Sequence, residues 1–519
     1  MDTDYSDLVF AVLPEITLTA GMLLVLAFDL AFGRRLSDRA RRIMVVALGI
    51  VTLIVASFWG FIIWVVANRL GEDSLFYEAF RMDAFGSVVR LGIFLLSALT
   101  LLLVSGSANP KSKIQNPKSQ RPAEYVAIHL LATIGLSLMA VSNNLLVAFL
   151  GLELASLSLY VMAGFNKTSR ESAEAGLKYF LFGGMAAAFM LFGFSLIYGL
   201  TGTLSFPDIA KTLADTAVSD EMPLAMQGLN PLLLVALVMT LVGFGYKAAA
   251  APFHFWAPDV YQGAPAPAAA LIASASKLAG FAFFARLLYN ALGAASGALD
   301  TLAPAGWVTV LVILSAASIL LGNLVALAQT NIRRLIAYSA IAHAGAMLIG
   351  VVAMRGAGPA PLYYYALTYG LATTGIFGVF SVIERTTHTP CQRIADLVGL
   401  WRRSPYLSAV LFVCVLSLAG IPPLAGFFGK FYVFAAALNL TGLSSPLGWL
   451  VLLAIAMSAV ALYYYLLILK TALVANADAN NSSAPEKIRT PASAAIALTL
   501  IVILIIALGI FPSVILRMF

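Results

Sequence analysis

The chain has 519 residues, of which 61% are hydrophobic and only 11% charged, with a mean hydropathy of +0.94. A soluble protein of this length keeps far more charge on its surface, so the composition marks an integral membrane protein. The net charge of +7 would suit a nucleic-acid partner, but the basic residues sit in alternate loops, where they report membrane orientation.

A membrane crossing needs roughly 20 apolar residues. About fourteen runs qualify, near 11–33, 43–67, 83–105, 125–142, 145–165, 174–200, 231–251, 266–288, 306–328, 333–353, 360–383, 406–428, 446–470 and 492–515, the twelfth trailing towards 440. The first is too long and too acidic at its front for a cleaved signal peptide. Loops after odd-numbered runs hold most of the Lys and Arg, beginning with Arg34, Arg35, Arg39, Arg41 and Arg42. Loops after even-numbered runs hold only Arg69, Arg81, Lys211 and Arg355. The positive-inside rule then predicts cytoplasmic odd loops and both termini on the outer side.

The polar segments carry little chemistry. Residues 106–124 contain NPKSKIQNPKSQ, a tandem repeat that reads as a low-complexity loop insertion, and 202–229 and 475–490 read as solvent-facing connectors. No βαβ pattern, GxGxxG or GxxxxGK[ST] is present, so no nucleotide site is expected. Cys391 and Cys414 lack metal-ligand spacing, and His129, His254, His343 and His388 are too scattered for a metal or haem site.

Two runs are interrupted by proline: the seventh at Pro252 in KAAAAPFHFW, and the twelfth at Pro422 and Pro423 in SLAGIPPLAGFFGK. Proline removes a backbone donor and clashes with the preceding turn, so each helix is predicted to break there. Broken backbone at membrane depth requires a surrounding of protein or water. Breaks five spans apart point to two repeats, spans four to eight and nine to thirteen. Five is odd, so the second repeat is inverted relative to the first.

Charge inside these runs is the sharpest functional signal. Glu153 lies in NLLVAFLGLELASLSLYVMAGF, Lys247 ends PLLLVALVMTLVGFGYK, Lys277 lies in AAALIASASKLAGFAFFA, and Lys430 lies in AGIPPLAGFFGKFYVFAAAL. An ionised group near the bilayer centre costs at least a few kcal/mol and usually marks an ion or proton path. Glu153 sits roughly 12 Å into its span, and Lys277 is predicted at similar depth. His343 is central in its own span. Burial favours a neutral lysine and a nearby carboxylate favours a charged one, so a lysine that gains and loses a glutamate partner is loaded and unloaded with a proton. The expected relay pairs Glu153 with Lys247, continues through Lys277 and His343, and ends at Lys430. Lys178 is expected beside Glu153. Arg90 and Arg286 are expected to snorkel to an interface, Glu15 and Asp29 to be interfacial, and Asp259 to brace the re-entrant turn.

The blocks FLGLELASLSLYVMAGF, EAGLKYFLFGG, APFHFWAPDVYQGAPAP, SASKLAGF, IRRLIAYSAIAHAG and AGIPPLAGFFGKFYVF closely resemble the subunit N family of bacterial respiratory complex I. That complex is the proton-pumping NADH:quinone oxidoreductase, and the resemblance spans nearly the whole chain. It implies an all-α polytopic membrane protein with about 14 transmembrane helices, two inverted five-helix repeats and discontinuous helices 7 and 12. The division it implies is an N-terminal three-helix segment with its loop (1–124), a first repeat (125–290), a second repeat (306–470), and a loop with a C-terminal helix (471–519). It also implies that Glu153, Lys247, Lys277 and Lys430 match the family's proton-channel residues, with Lys178 and His343 in support. A subunit of this kind sits in the bacterial plasma membrane beside other membrane-arm subunits. It holds no redox centre, so NAD, FMN, iron–sulfur clusters and quinone are expected in partner subunits. Lys430 differs from the glutamate expected in subunit M, and the length leaves no room for the lateral helix of subunit L. The insertion in 106–124 departs from the family pattern. The competing readings are a subunit of a multisubunit Na⁺(K⁺)/H⁺ antiporter without redox coupling, and a membrane scaffold with vestigial charges.

Overall fold

The computed structural model of the protein describes residues 5–70, 79–106, 121–218, 230–298, 306–475 and 487–519. The NPKSKIQNPKSQ insertion lies outside them. After the short helix Tyr5–Ala11 come three long ones: α1 (Leu13–Ala31), α2 (Asp38–Leu70) and α3 (Ala84–Gly106). There follow α4 (Pro122–Val141), α5 (Leu145–Ala163), α6 (Arg170–Thr201), α7 (Phe206–Val218), α8 (Pro231–Ala248), α9 (Trp256–Gly263), α10 (Ala266–Ala273) and α11 (Ala275–Asn290). The second half comprises α12 (Trp307–Leu327), α13 (Ile332–Ala357), α14 (Ala360–Thr387), α15 (Pro405–Ala419), α16 (Ala425–Thr441), α17 (Pro446–Leu473) and α18 (Ala492–Ile510). Among the described residues, 13 helices are long and apolar enough to cross a membrane, counting α10–α11 as one. The broken pair α15–α16 supplies the remaining crossing expected from the sequence.

The same local chemistry recurs at matching places in the two halves. Asn144 caps α5, its side chain accepting from Leu146 N at 2.9 Å, and the chain before α5 bridges to Ser205. Asn331 caps α13, accepting from Arg333 N at 3.0 Å and Arg334 N at 3.2 Å, and bridges to Arg393. An Asn side chain at an N-cap satisfies helix-end donors that otherwise lack partners. The two broken spans match in the same way. α8 ends with Ala249 at φ 57° and an Ala250 N–H bond to Gly245 O of 2.8 Å. α15 ends with Gly420 at φ 85° and an Ile421 N–H bond to Leu416 O of 3.1 Å. Both closures are six-to-one Schellman turns. The second uses glycine, which adopts positive φ freely. The first forces alanine into it, a strained choice of the kind kept only where surrounding structure determines it.

Three expectations change. The eighth span is not one helix: α10 and α11 meet at Ser274, whose φ −112° and ψ −86° are non-helical. No proline or glycine stands at that joint, so no breaker marked it. The connector before the seventh span contains α7, because Phe206 and Ile209 recur at helical spacing and are fully buried. Arg90 and Arg286 do not snorkel, and Glu15, expected at the interface, is buried. Arg90, 1% exposed, pairs with Glu15 at 2.9 Å and donates to Ala11 O at 3.1 Å, while Ser137 Oγ donates to Glu15 at 2.5 Å. Arg286 grips Asp83 through two hydrogen bonds of 2.7 and 2.9 Å, with Arg81 3.3 Å from the same carboxylate. These pairs fasten the opening three-helix segment to α4 and α11. Arginine can neither deprotonate nor reach water from there, so each takes a buried carboxylate as counter-ion, bidentate for Arg286.

Burial alone would raise the Asp83 carboxyl, but the Arg286 guanidinium holds it below the usual carboxylate range. It therefore stays ionised at neutral pH, and its contribution to stability is lost only as pH falls through that lowered value. Asp83→Ala should destabilise the protein by about 3–5 kcal/mol, because it leaves Arg286 buried and unpaired. Adding Arg286→Met should restore most of the loss. Thermal unfolding of the purified protein reads both, and an unchanged midpoint for Asp83→Ala would contradict the pairing.

Candidate functional site

The interrupted helices set the site. Lys247 occupies the last turn of α8, just before the chain leaves the helix at Ala249. At the break between α8 and α9, Ala251 N donates to Ser318 Oγ at 2.8 Å and Trp256 Nε1 donates to Tyr246 O at 2.9 Å. The Lys247 ammonium, with the residue 6% exposed, donates to Ser156 Oγ at 3.3 Å. Ser156 is three residues beyond Glu153 on α5, hence on the same helix face. Glu153 and Lys247 thus share one site without forming an ion pair. The Glu153 carboxylate has a buried oxygen, Oε1, with no hydrogen-bond partner, and lies within electrostatic reach of the ammonium.

Lys277 begins α11 just after the Ser274 joint and is 2% exposed. Its ammonium donates to Ala340 O on α13 at 2.6 Å and lies 5.2 Å from the centre of the Tyr369 ring. Desolvated cations are stabilised by such ring faces. Lys247 and Lys277 are neighbours through Gly280: a Cβ built there would stand 3.2 Å from Lys247 Cγ. Gly280 is one turn past Lys277, so the bare glycine lets the Lys247 stem cross α11.

His343 lies on α13 one turn from Ala340, with Nδ1 2.8 Å from Tyr365 Oη and Nε2 3.1 Å from Tyr465 Oη. Lys430, on α16 beyond the second break, donates to Ala419 O at 3.1 Å. That carbonyl is the last residue of α15, so the ammonium sits on the negative end of a half-helix. His343, Tyr365 and Lys430 line one cavity of about 20 Å³. Such a volume holds about one water.

Lys178 takes a different place from the one expected. Its ammonium pairs with Asp259 at 2.6 Å and with Glu174 one turn earlier on α6 at 2.7 Å, not with Glu153. Asp259, in the first turn of α9, also accepts from Arg334 of α13 at 2.5 Å. Arg333 donates to the carbonyls of Gln262 at 3.1 Å and Ala264 at 2.8 Å and pairs with Glu384. The re-entrant segment is therefore tied to α6 and α13 at the end where the basic loops lie. Asp259 braces it as expected, and does so between the two repeats.

Comparisons with known proteins give the family. Residues 142–471 match the family described as NADH:quinone oxidoreductase/Mrp antiporter, TM. The chain is 42% identical to NADH-quinone oxidoreductase subunit N 2 of Acidobacterium capsulatum, over 99% of this chain and 98% of the relative. It belongs to the subunit N family. It is also similar to a chain of respiratory complex I from Thermus thermophilus, with a TM-score of 0.75 and 31% identity over 97% of this chain and 98% of that one. A chain of the Mrp complex from Dietzia shares the fold, with a TM-score of 0.75 over 96% of each chain, at only 19% identity.

For this subunit N relative, several site residues went unread in the sequence. Ser156 was available as the residue three past Glu153. Tyr365 and Tyr465 belong to two tyrosine triplets, LYYYALTYG and ALYYYLLIL, and three consecutive tyrosines inside an apolar span are a usable signal. Asp259→Ala should lower stability by about 1–2 kcal/mol, because it removes the anion shared by Lys178 and Arg334. Glu174→Ala, losing one pair near the surface, should stay within about 0.5 kcal/mol of the parent. Thermal unfolding of the purified protein separates them, and equal losses would contradict the bridging role of Asp259.

Proposed function

We propose that this chain is a proton-translocating membrane-arm subunit of a respiratory NADH:quinone oxidoreductase. The observation that carries the reading is the mid-membrane succession Glu153–Lys247–Lys277–His343–Lys430, built where helices are interrupted. Lys247 is the switchable site. It holds its proton while the Glu153 carboxylate is near and yields it as that carboxylate turns away. Lys277 and His343 carry the proton between the repeats, and Lys430 delivers it. Lys178 is a positioning residue held by Asp259 at the entry end.

The redox-coupled reading is favoured over a Na⁺(K⁺)/H⁺ antiporter subunit by 42% identity to a subunit N, against 19% to the Mrp chain. In the proposed complex, NAD, FMN, iron–sulfur clusters and quinone are handled by other subunits. The chain sits in the bacterial plasma membrane with its termini outside, which is supported by the Lys and Arg of the odd loops. The two transport units are residues 125–290 and 306–470, flanked by 1–124 and 471–519, a division supported by the matched asparagine caps and matched helix breaks.

Lys247→Met in the assembled complex should abolish most proton pumping while electron transfer from NADH to an artificial acceptor continues. Vesicle acidification measured beside NADH oxidation reads the ratio, and near-normal pumping would refute the assignment. Gly280→Val should impair pumping too, by displacing the Lys247 stem. Gly184→Val, where an added Cβ meets nothing within 4 Å, should leave it unchanged. Equal behaviour of the two valine variants would show that the Lys247–α11 contact is irrelevant.

A further inference from the structure

Both nitrogens of a histidine deep in a membrane protein rarely find hydroxyl partners by accident. Here Tyr465 Oη faces Nε2 at 3.1 Å and also hydrogen-bonds Ser339 Oγ, while Tyr365 Oη faces Nδ1 at 2.8 Å. The four groups come from three helices: Ser339 and His343 from α13, Tyr365 from α14, and Tyr465 from α17. All four are buried. We propose that Ser339–Tyr465–His343–Tyr365 is a hydrogen-bonded proton wire joining the Lys277 site to the Lys430 site, with Tyr465 and Tyr365 as its obligatory hydroxyls. The inference rests on the proton-translocation reading above and names the groups that carry its middle step.

The ends of the chain fit the two lysines. Ser339 adjoins Ala340, whose carbonyl holds the Lys277 ammonium. Tyr365 lines the cavity that Lys430 also lines. A neutral imidazole donates from one nitrogen and accepts at the other, and a tyrosine hydroxyl does both, so the chain accepts either polarity. Passage of one proton balances simply. A proton enters at the Ser339 end and Tyr465 passes its own to Nε2. Nδ1–H then passes to Tyr365, whose hydroxyl proton leaves for the Lys430 amine. One proton enters, one leaves, no electron moves, and every hydrogen bond in the chain is left reversed. The wire must then be reset before the next passage.

Phenylalanine removes each hydroxyl and keeps each ring, so the packing of Tyr465 on Tyr464 and of Tyr365 on His343 is retained. The test is proton pumping per NADH oxidised by the assembled complex in membrane vesicles, with NADH oxidation by an artificial acceptor as the assembly control. Tyr465→Phe and Tyr365→Phe should each reduce pumping roughly tenfold, the effect of losing one buried hydrogen-bonded link. The double variant should lose no more than the worse single, because a wire cut twice is still one cut. If a tyrosine variant fails to assemble, Ser339→Ala cuts the same chain without altering a ring, and Ser339→Thr should restore pumping. Normal pumping in the hydroxyl variants beside a blocked Lys277→Met would overturn the wire and leave the function standing. Losses that multiply in the double variant would also overturn it, since independent packing defects add in free energy. Normal pumping in Lys277→Met would overturn the function itself.

Discussion

A lysine ammonium placed in a bilayer needs polar atoms around it, and a regular helix spends almost all of its backbone groups on itself. The structure meets this constraint by interrupting helices. Lys247 stands at the end of α8, Lys430 is fixed to the terminal carbonyl of α15, and Lys277 opens α11 beyond a joint at Ser274. Lys277 also takes a carbonyl from the continuous α13, which a carbonyl's second lone pair permits. Each interruption must then be closed without orphaned backbone. At the two proline breaks Ser318, Trp256 and Ser417 each satisfy one freed backbone group, the last by accepting from Gly426 N at 3.1 Å.

The rest of the fold follows from holding these breaks still. The central stretches of α10–α11 and α14 are buried within the protein, so Lys277, Tyr365 and Tyr369 touch protein and not lipid. Asp259 and Arg333 pin the re-entrant segment at the end bearing the basic loops. The Glu15–Arg90 and Asp83–Arg286 pairs anchor the opening three helices. These ion pairs are static, since each arginine is permanently charged and held by a buried carboxylate. The lysines differ, because their partners are carbonyls, a serine hydroxyl and a ring face, none of which fixes the charge. Glu153 has an unpaired buried oxygen, and it is the carboxylate placed to bias Lys247.

Much of this was legible in the chain. Hydropathy and proline marked the spans and two of the breaks, and charge in apolar runs marked Glu153, Lys247, Lys277 and Lys430. What escaped has physical reasons. Ser274 breaks a helix without proline or glycine, through tertiary packing that no local signal carries. Arg90 and Arg286 lie near span ends, where snorkelling and burial look alike until the carboxylate partner, more than a hundred residues away for Arg286, is known. Lys178 is expected beside Glu153, whereas its partners in space are Glu174 and Asp259, the latter carried back towards α6 by the re-entrant turn. The imidazole's partners, Tyr365 and Tyr465, stand on two other helices, and hydroxyls in an apolar run leave hydropathy nearly unchanged.

The central claim is that Lys247, Lys277, His343 and Lys430 form one connected path across the interior of the protein. High-resolution electron microscopy of the assembled complex, with ordered waters resolved, tests it directly. The account predicts a chain of side chains and bridging waters from Lys247 to Lys430 in which no link exceeds about 3.5 Å. A dry, apolar gap between Lys277 and His343, or between His343 and Lys430, in every resolved state would contradict it.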